Sequence, residues 1–197
     1  METLSLYSTL ITDLTPLERL TSLKVLALRN TDVRDIAPLR NCRELRSLNL
    51  NYAPLLDIDV LADLGALASL DMCGAEMIDL SPLANHPRLS SLDLGGASKI
   101  DLEPLTDCQH LSKLNLWGTI GIDISPLARM TSLADAAQAR RGHSSGGVSA
   151  ARSDFGQHEP VAGFGRLSEP RRTVELINYL RQQQGLAPYY PPGYSSV

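Results

Sequence analysis

Apolar residues recur along this chain at a fixed interval of 22. No other feature constrains the fold as much. Starting points are Met1, Leu23, Leu45, Leu67, Leu89 and Leu111. Three residues on stand Leu4, Leu26, Leu48, Leu70, Leu92 and Leu114, and two beyond those Leu6, Leu28, Leu50, Met72, Leu94 and Leu116. Later in each unit come Leu14, Ile36, Ile58, Leu80, Leu102 and Ile124, then Leu17, Leu39, Leu61, Leu83, Leu105 and Leu127. All five columns are apolar in all six units. One such unit cannot bury its own apolar face, whereas stacked units share a continuous core.

Asp recurs at the same interval, at positions 13, 35, 57, 79, 101 and 123. Pro follows three residues later in five of the six units, at Pro16, Pro38, Pro82, Pro104 and Pro126. Thr15, Ser81 and Ser125 precede three of these prolines. A hydroxyl cap followed by Pro at the first helical position is a helix start. Each unit therefore reads as a short strand, a turn and a short helix, with the Asp side chain bonding backbone amides of the turn.

The pattern L-x-x-L-x-L followed by D-I-x-P-L-x-x-L resembles the leucine-rich repeat family, in its 22-residue class of internalin-like and phosphatase-regulator-like repeats. Residues 23–28 and 35–39 carry it almost position for position, and the resemblance covers about residues 1–133. It implies an α/β fold: a right-handed solenoid, with a parallel sheet on the concave side and short helices on the convex side. The family commonly places Asn, Cys or Thr eight residues after the first Leu. Here Thr9, Thr31, Ala53, Ala75, Ala97 and Thr119 stand there, so half of that bracing ladder is missing.

The period fails after 133. The expected organisation is a solenoid over 1–133, a flexible Arg-, Gly- and Ser-rich linker over 134–172, and a terminal segment over 173–197. Val174, Leu176, Ile177 and Leu180 predict a short amphipathic helix over 173–184, capped by Thr173 and stopped by Gly185. It is a candidate to fold back over the sixth unit. At the other end the first strand lacks a visible cap, which leaves it open to a covering partner or to edge-to-edge association. The Pro- and Tyr-rich tail carries Pro191, Pro192 and Tyr194, a fit to WW-domain ligands. Val197 ends a PDZ-type C-terminus.

Composition excludes several classes of function. Aromatics make up only 5% of the 197 residues, so core volume comes from aliphatic side chains. No apolar run approaches the roughly 20 residues of a membrane helix, and the first residues show no secretory signal. A net charge of −4 argues against nonspecific nucleic-acid binding. Three cysteines, Cys42, Cys73 and Cys108, are too few and too scattered for a disulfide framework or a zinc site. Cys42 and Cys108 share a core column with His86, and Cys73 falls on the sheet face. Free thiols fit a reducing, cytoplasmic compartment. Neither a cofactor nor a metal is expected.

Strand alternation turns one set of side chains toward the concave face. Its central column is Ser5, Ala27, Asn49, Asp71, Asp93 and Asn115. Neighbouring strands lie about 4.8 Å apart, so Asp71 and Asp93 should stand side by side with an amide on either flank. Two adjacent carboxylates invite a cation and raise at least one pKa, which suits docking of a partner's Arg or Lys. Tyr7, Arg29, Tyr52 and Trp117 are the residue types that anchor interfaces. No third catalytic group converges on the acid pair, so an enzyme is not expected. The function expected is a non-catalytic protein-interaction module or adaptor. The alternatives are a structural subunit of a larger assembly and a secreted or host-directed recognition protein.

Overall fold

The computed structural model describes residues 1–119, 121–133, 149–150 and 170–191. Among the described residues the strands are β1 (Thr3–Ser5), β2 (Val25–Ala27), β3 (Ser47–Asn49), β4 (Ser69–Asp71), β5 (Ser91–Asp93), β6 (Lys113–Leu116) and β7 (Ser149–Ala150), and the long helix is α1 (Pro170–Gln183). The strands form a single sheet in chain order, every neighbouring pair parallel. The register keeps the 22-residue offset from β1 to β6: Leu4, Leu26, Leu48, Leu70, Leu92 and Leu114 are successive partners. The leucines at both strand columns are buried from the second unit onward, while Leu4 and Leu6 in the first are only half-buried.

The convex side is built from 3-10 turns of three or five residues, not α-helices: Thr15–Leu17, Ala37–Asn41, Asp59–Asp63, Ser81–Leu83, Glu103–Asp107 and Ser125–Arg129. A 3-10 turn closes on i→i+3 bonds and needs few residues. That suits a 22-residue circuit that must return to the next strand. The third turn forms with Val60 where the others have Pro.

The helix-start expectation needs correction. No hydroxyl caps these turns. The Asp column does that work in all six units, each Oδ1 accepting the amide N–H two residues on, at 2.7–3.3 Å. The hydroxyl of Ser81 points back and donates to Asp79 Oδ1 at 2.6 Å. The amides a hydroxyl cap would serve, at Leu17, Leu83 and Leu127, bond to the carbonyls of Leu14, Leu80 and Ile124, which leaves the carboxylate to hold the first amide of each turn through a charge-assisted bond. The Ser81 hydroxyl and amide together hold the Asp79 carboxyl below its ordinary range.

The bracing column behaves as its residue types dictate. Thr9, Thr31 and Thr119 donate their hydroxyls to the carbonyls of Leu6, Leu28 and Leu116. Ala53, Ala75 and Ala97 make the same turn with the backbone amide alone. A further column is not evident from residue types: Ser8, Asn30, Tyr52, Gly74, Gly96 and Gly118 all have φ between 53° and 76°. Two or three residues beyond each of β1 to β6 the backbone turns left-handed, a conformation glycine adopts without a Cβ penalty. The fourth to sixth units add a second such position, at Met77, Lys99 and Gly121. There the inward apolar residue moves on by one place, from the column of Val33 to that of Ile78 and Ile100. An open cleft of about 450 Å³, lined by Tyr52, Pro54, Gly74, Glu76 and Ile78 among others, lies where the two kinds of unit meet.

Helix α1 covers the sixth unit. It begins at Pro170, three residues before the expected start, with Pro in its first turn. Val174, Leu176 and Ile177 are buried, Leu180 half-buried, and the helix packs on the Ser125–Arg129 turn. Arg181 Nη1 donates to the Ala128 carbonyl at 3.0 Å and Gln184 Nε2 to that of Ser125 at 2.9 Å. These tie the helix to the convex side of the sixth unit. Gly185, at φ 69°, ends the helix, and the Leu186 amide bonds back to the Arg181 carbonyl. The chain then turns back along the helix: the Tyr189 amide donates to Asn178 Oδ1 and Arg181 Nε donates to the Ala187 carbonyl. Within the expected linker, Ser149 and Ala150 pair with Asn115 and Leu116 as β7. The rest of 134–169, and Pro192, Tyr194 and Val197 of the tail motifs, lie outside the described residues. Pro191 is buried.

Candidate functional site

The parallel register places Asp71 directly beside Asp93, with Asn49 and Asn115 as the flanking partners. Both amides turn inward on the pair. Asn49 Nδ2 donates to Asp71 Oδ2 at 3.0 Å and Asn115 Nδ2 to Asp93 Oδ1 at 2.9 Å. Asp93 Oδ1 also accepts from the Gly95 amide at 2.9 Å and from Cys73 Sγ at 3.1 Å. Asp71 Oδ1 and Asp93 Oδ2 accept no hydrogen bond among the described residues. One oxygen of each carboxylate is therefore fixed, and the other is left over.

Burial, then the neighbouring Asp93 charge, push the Asp71 carboxyl above its ordinary range, with the Asn49 hydrogen bond opposing them. The Cys73 thiol is pushed up to about 12, first by burial, then by its bond to the Asp93 carboxylate and the charges of both acids. It stays protonated near neutrality and serves as a donor; a nucleophile needs the thiolate. A Cβ at Gly95 would come within 3.2–3.4 Å of Asp93 Oδ1, Asn115 Nδ2 and Cys73 Sγ, so glycine lets this cluster close up.

The expected anchors fall into two groups. Trp117 is 65% exposed and follows β6, its amide held by Asn115 Oδ1 at 3.0 Å. Tyr7 and Tyr52, 57% and 59% exposed, sit on either side of Arg29 at the N-terminal half of the same face. The approach of these three is not legible in the sequence, because Tyr52 lies one column away from Tyr7 and Arg29. The Gly column that makes room for the Tyr52 ring is the available signal.

Cys42, Cys73 and Cys108 are all free thiols, and Cys42 and Cys108 are buried in the convex core as expected. Cys108 Sγ donates to the Leu83 carbonyl at 3.1 Å. His86 occupies the same column, buried, with neither ring nitrogen in a hydrogen bond of normal geometry. The Leu64 and Leu61 carbonyls are near enough to favour a ring proton, but burial outweighs them and depresses the His86 pKa below its usual value of 6.5. Neither carbonyl is aligned to accept a bond from the ring, and proximity alone is a weaker condition than alignment. A depressed folded pKa means that the unfolded chain takes up the proton first. Stability is then fully present above about pH 6.5 and falls as pH drops below it, until the folded-state pKa is passed. Replacing His86 by Met should flatten the melting temperature between pH 7.5 and 5.5. An equal slope in both proteins would rule out His86 as its source. Loss of the Asp caps belongs to lower pH, below the ordinary carboxylate range, and Asp71 acts with the opposite sign, gaining stability as it protonates.

Among the described residues no three His, Cys, Asp or Glu side chains gather to hold a metal ion, and no helix is long and apolar enough to cross a membrane.

A one-sheet parallel array, each strand returned by a capped 3-10 turn at constant offset, defines the class of open repeat solenoids. The five apolar columns and the solved structures it matches make the assignment narrower: the chain belongs to the leucine-rich repeat family. It is similar to an internalin, inlF, from Listeria monocytogenes, with 34% identity and a TM-score of 0.60 over 67% of this chain. It is also similar to internalin C2 of the same organism, with 30% identity and a TM-score of 0.61 over 67% of this chain. It spans 39% and 58% of those two chains. The leucine-rich-repeat ectodomain of a plant membrane receptor kinase, GASSHO1/SCHENGEN3 from Arabidopsis thaliana, shares the fold at 23% identity and a TM-score of 0.50, over 61% of this chain and 16% of that one. No protein-family model and no curated protein matches the sequence.

Proposed function

We propose that the chain is a non-catalytic protein-interaction module. Its concave sheet face binds a protein partner through a basic side chain received by Asp71 and Asp93, with Trp117 as an anchor. The observation that carries this reading is the pair of unengaged carboxylate oxygens on adjacent strands, each backed by a carboxylate oxygen already fixed by an amide. Such a pair is ordered before the partner arrives, so little side-chain entropy is lost on binding. Burial first, then repulsion from Asp93, raises the Asp71 pKa, and a cation between the acids removes the second of these. An extended face of short side chains suits a protein better than a small ligand. The internalin neighbours support an interaction role in general terms. Three free thiols fit a reducing compartment, where an adaptor would act.

The test is capture from the native host by the full chain and by an Asp71→Asn/Asp93→Asn variant, at low and high salt. A partner held by the parent chain should bind the double variant about tenfold or more weakly, and its residual binding should lose most of its salt dependence. Equal capture by both proteins would place recognition elsewhere.

A further inference from the structure

Arg29 lies exposed just beyond β2, its guanidinium carbon 5.8 Å from the Tyr7 ring centroid and 5.9 Å from that of Tyr52. The two rings come from the first and third units, so the cation is clamped from both sides along the array. Tyr52 is seated in turn: its ring occupies the space a Cβ at Gly74 would need, with Cδ1 only 2.8 Å away. Among the described residues no carboxylate lies within ion-pair distance of Arg29, and no acceptor takes its N–H groups. Val25 and Ala27, which precede it on the same face, carry no charge.

At these distances the guanidinium is within cation–π range of both rings, and its N–H groups remain free of any acceptor among the described residues. Those groups form a rigid fork whose spacing matches the two oxygens of a carboxylate. The positive charge is thus positioned and unspent, on the same face as the acid pair.

We propose that Arg29, held between Tyr7 and Tyr52, receives a carboxylate of an extended peptide segment of the partner, so that the face reads one acid and one base at a set spacing. This rests on the reading of Asp71 and Asp93 as the cation site. Ala27, Asn49 and Asp71 are successive partners. With strands about 4.8 Å apart and about 3.3 Å per residue along each, Arg29 lies roughly 12 Å from Asp71 and 16 Å from Asp93. An extended peptide covers that distance in about four or five residues, with its acid toward the first unit and its base toward the fifth. A polyanion or an anionic membrane would also suit Arg29, but the acid pair repels both.

The test is selection from a displayed library of random peptides long enough to span the face. The full chain is compared with Arg29→Gln and with Asp71→Asn/Asp93→Asn. The parent should enrich peptides carrying an acid four or five residues from a base. Arg29→Gln should keep the base and lose the acid preference by about tenfold, the scale of one charge-assisted contact, while the double variant should do the reverse. Enrichment of bases without a spaced acid, or acid enrichment that survives in Arg29→Gln, overturns the inference and spares the cation site. Absence of basic enrichment overturns the underlying reading as well. Should Arg29→Gln fail to fold, Arg29→Lys carries the test: it keeps the charge without the planar fork, and should weaken the acid preference while leaving the base preference intact.

Discussion

Replacing Val174 and Ile177 together by Asp should open the C-terminal end of the array and lower its melting temperature by more than about 10 °C. Both side chains are 1% exposed and face the sixth unit. Burying a charge in place of an aliphatic group costs at least about 3 kcal/mol at each site. For a chain of this size each kcal/mol is worth about 2–4 °C. The two positions share one helix face, so their effects will not simply add. In a repeat array each unit is held by its neighbours, and Leu127, Met130 and Leu133 stay buried at the last unit because α1 stands where a seventh unit would. Hydrogen exchange should therefore lose protection first across 125–133, with β2 to β4 following only at higher temperature. Glu175→Lys, on the exposed side of the same helix, should change neither. A double variant that melts like the parent, with 125–133 still protected, would show that α1 is not the cap.

Legibility in the sequence divides along one physical line. Repeated features can be read from residue order alone, because six copies at one spacing fix both face and register. The period of 22 is enough to set Asp71 beside Asp93 and to give the Asp column to turn amides. Features that occur once are not legible in this way. An amphipathic face such as that of α1 does not say what it will meet, so its covering role is one option among several until the packing is known. The Cys73 thiol bond to Asp93 depends on a rotamer, and the Arg29 clamp depends on Tyr52, three residues beyond β3, turning left-handed at φ 60°. Ser or Thr before Pro is a helix signal in isolation, which is why the sequence points to a hydroxyl cap. Here the amides such a cap would serve, at Leu17, Leu83 and Leu127, bond to the carbonyls of Leu14, Leu80 and Ile124, and the carboxylate holds the amide of the Ser or Thr itself.

The array should also divide at its middle. Leu70, on β4, is fully buried and pairs between Leu48 and Leu92. Leu70→Ala should cost about 2–5 kcal/mol, whereas Leu4→Ala, at a half-buried position of the same column, should cost about half as much or less. The larger loss falls at the junction that bears the cleft beside Tyr52 and Gly74, where the second left-handed residue first enters, at Met77. Coupling across that junction holds units one to three to units four to six, since non-adjacent units do not touch. Trp117 is the only Trp and lies in the C-terminal half, so its fluorescence follows that half while far-UV circular dichroism follows both. In urea the two signals should coincide for the parent chain. In Leu70→Ala they should separate, with Trp117 changing later because α1 still caps its half. Coincident curves for the variant, at whatever midpoint, would mean that the six units fold as one body and that the junction carries no special weakness.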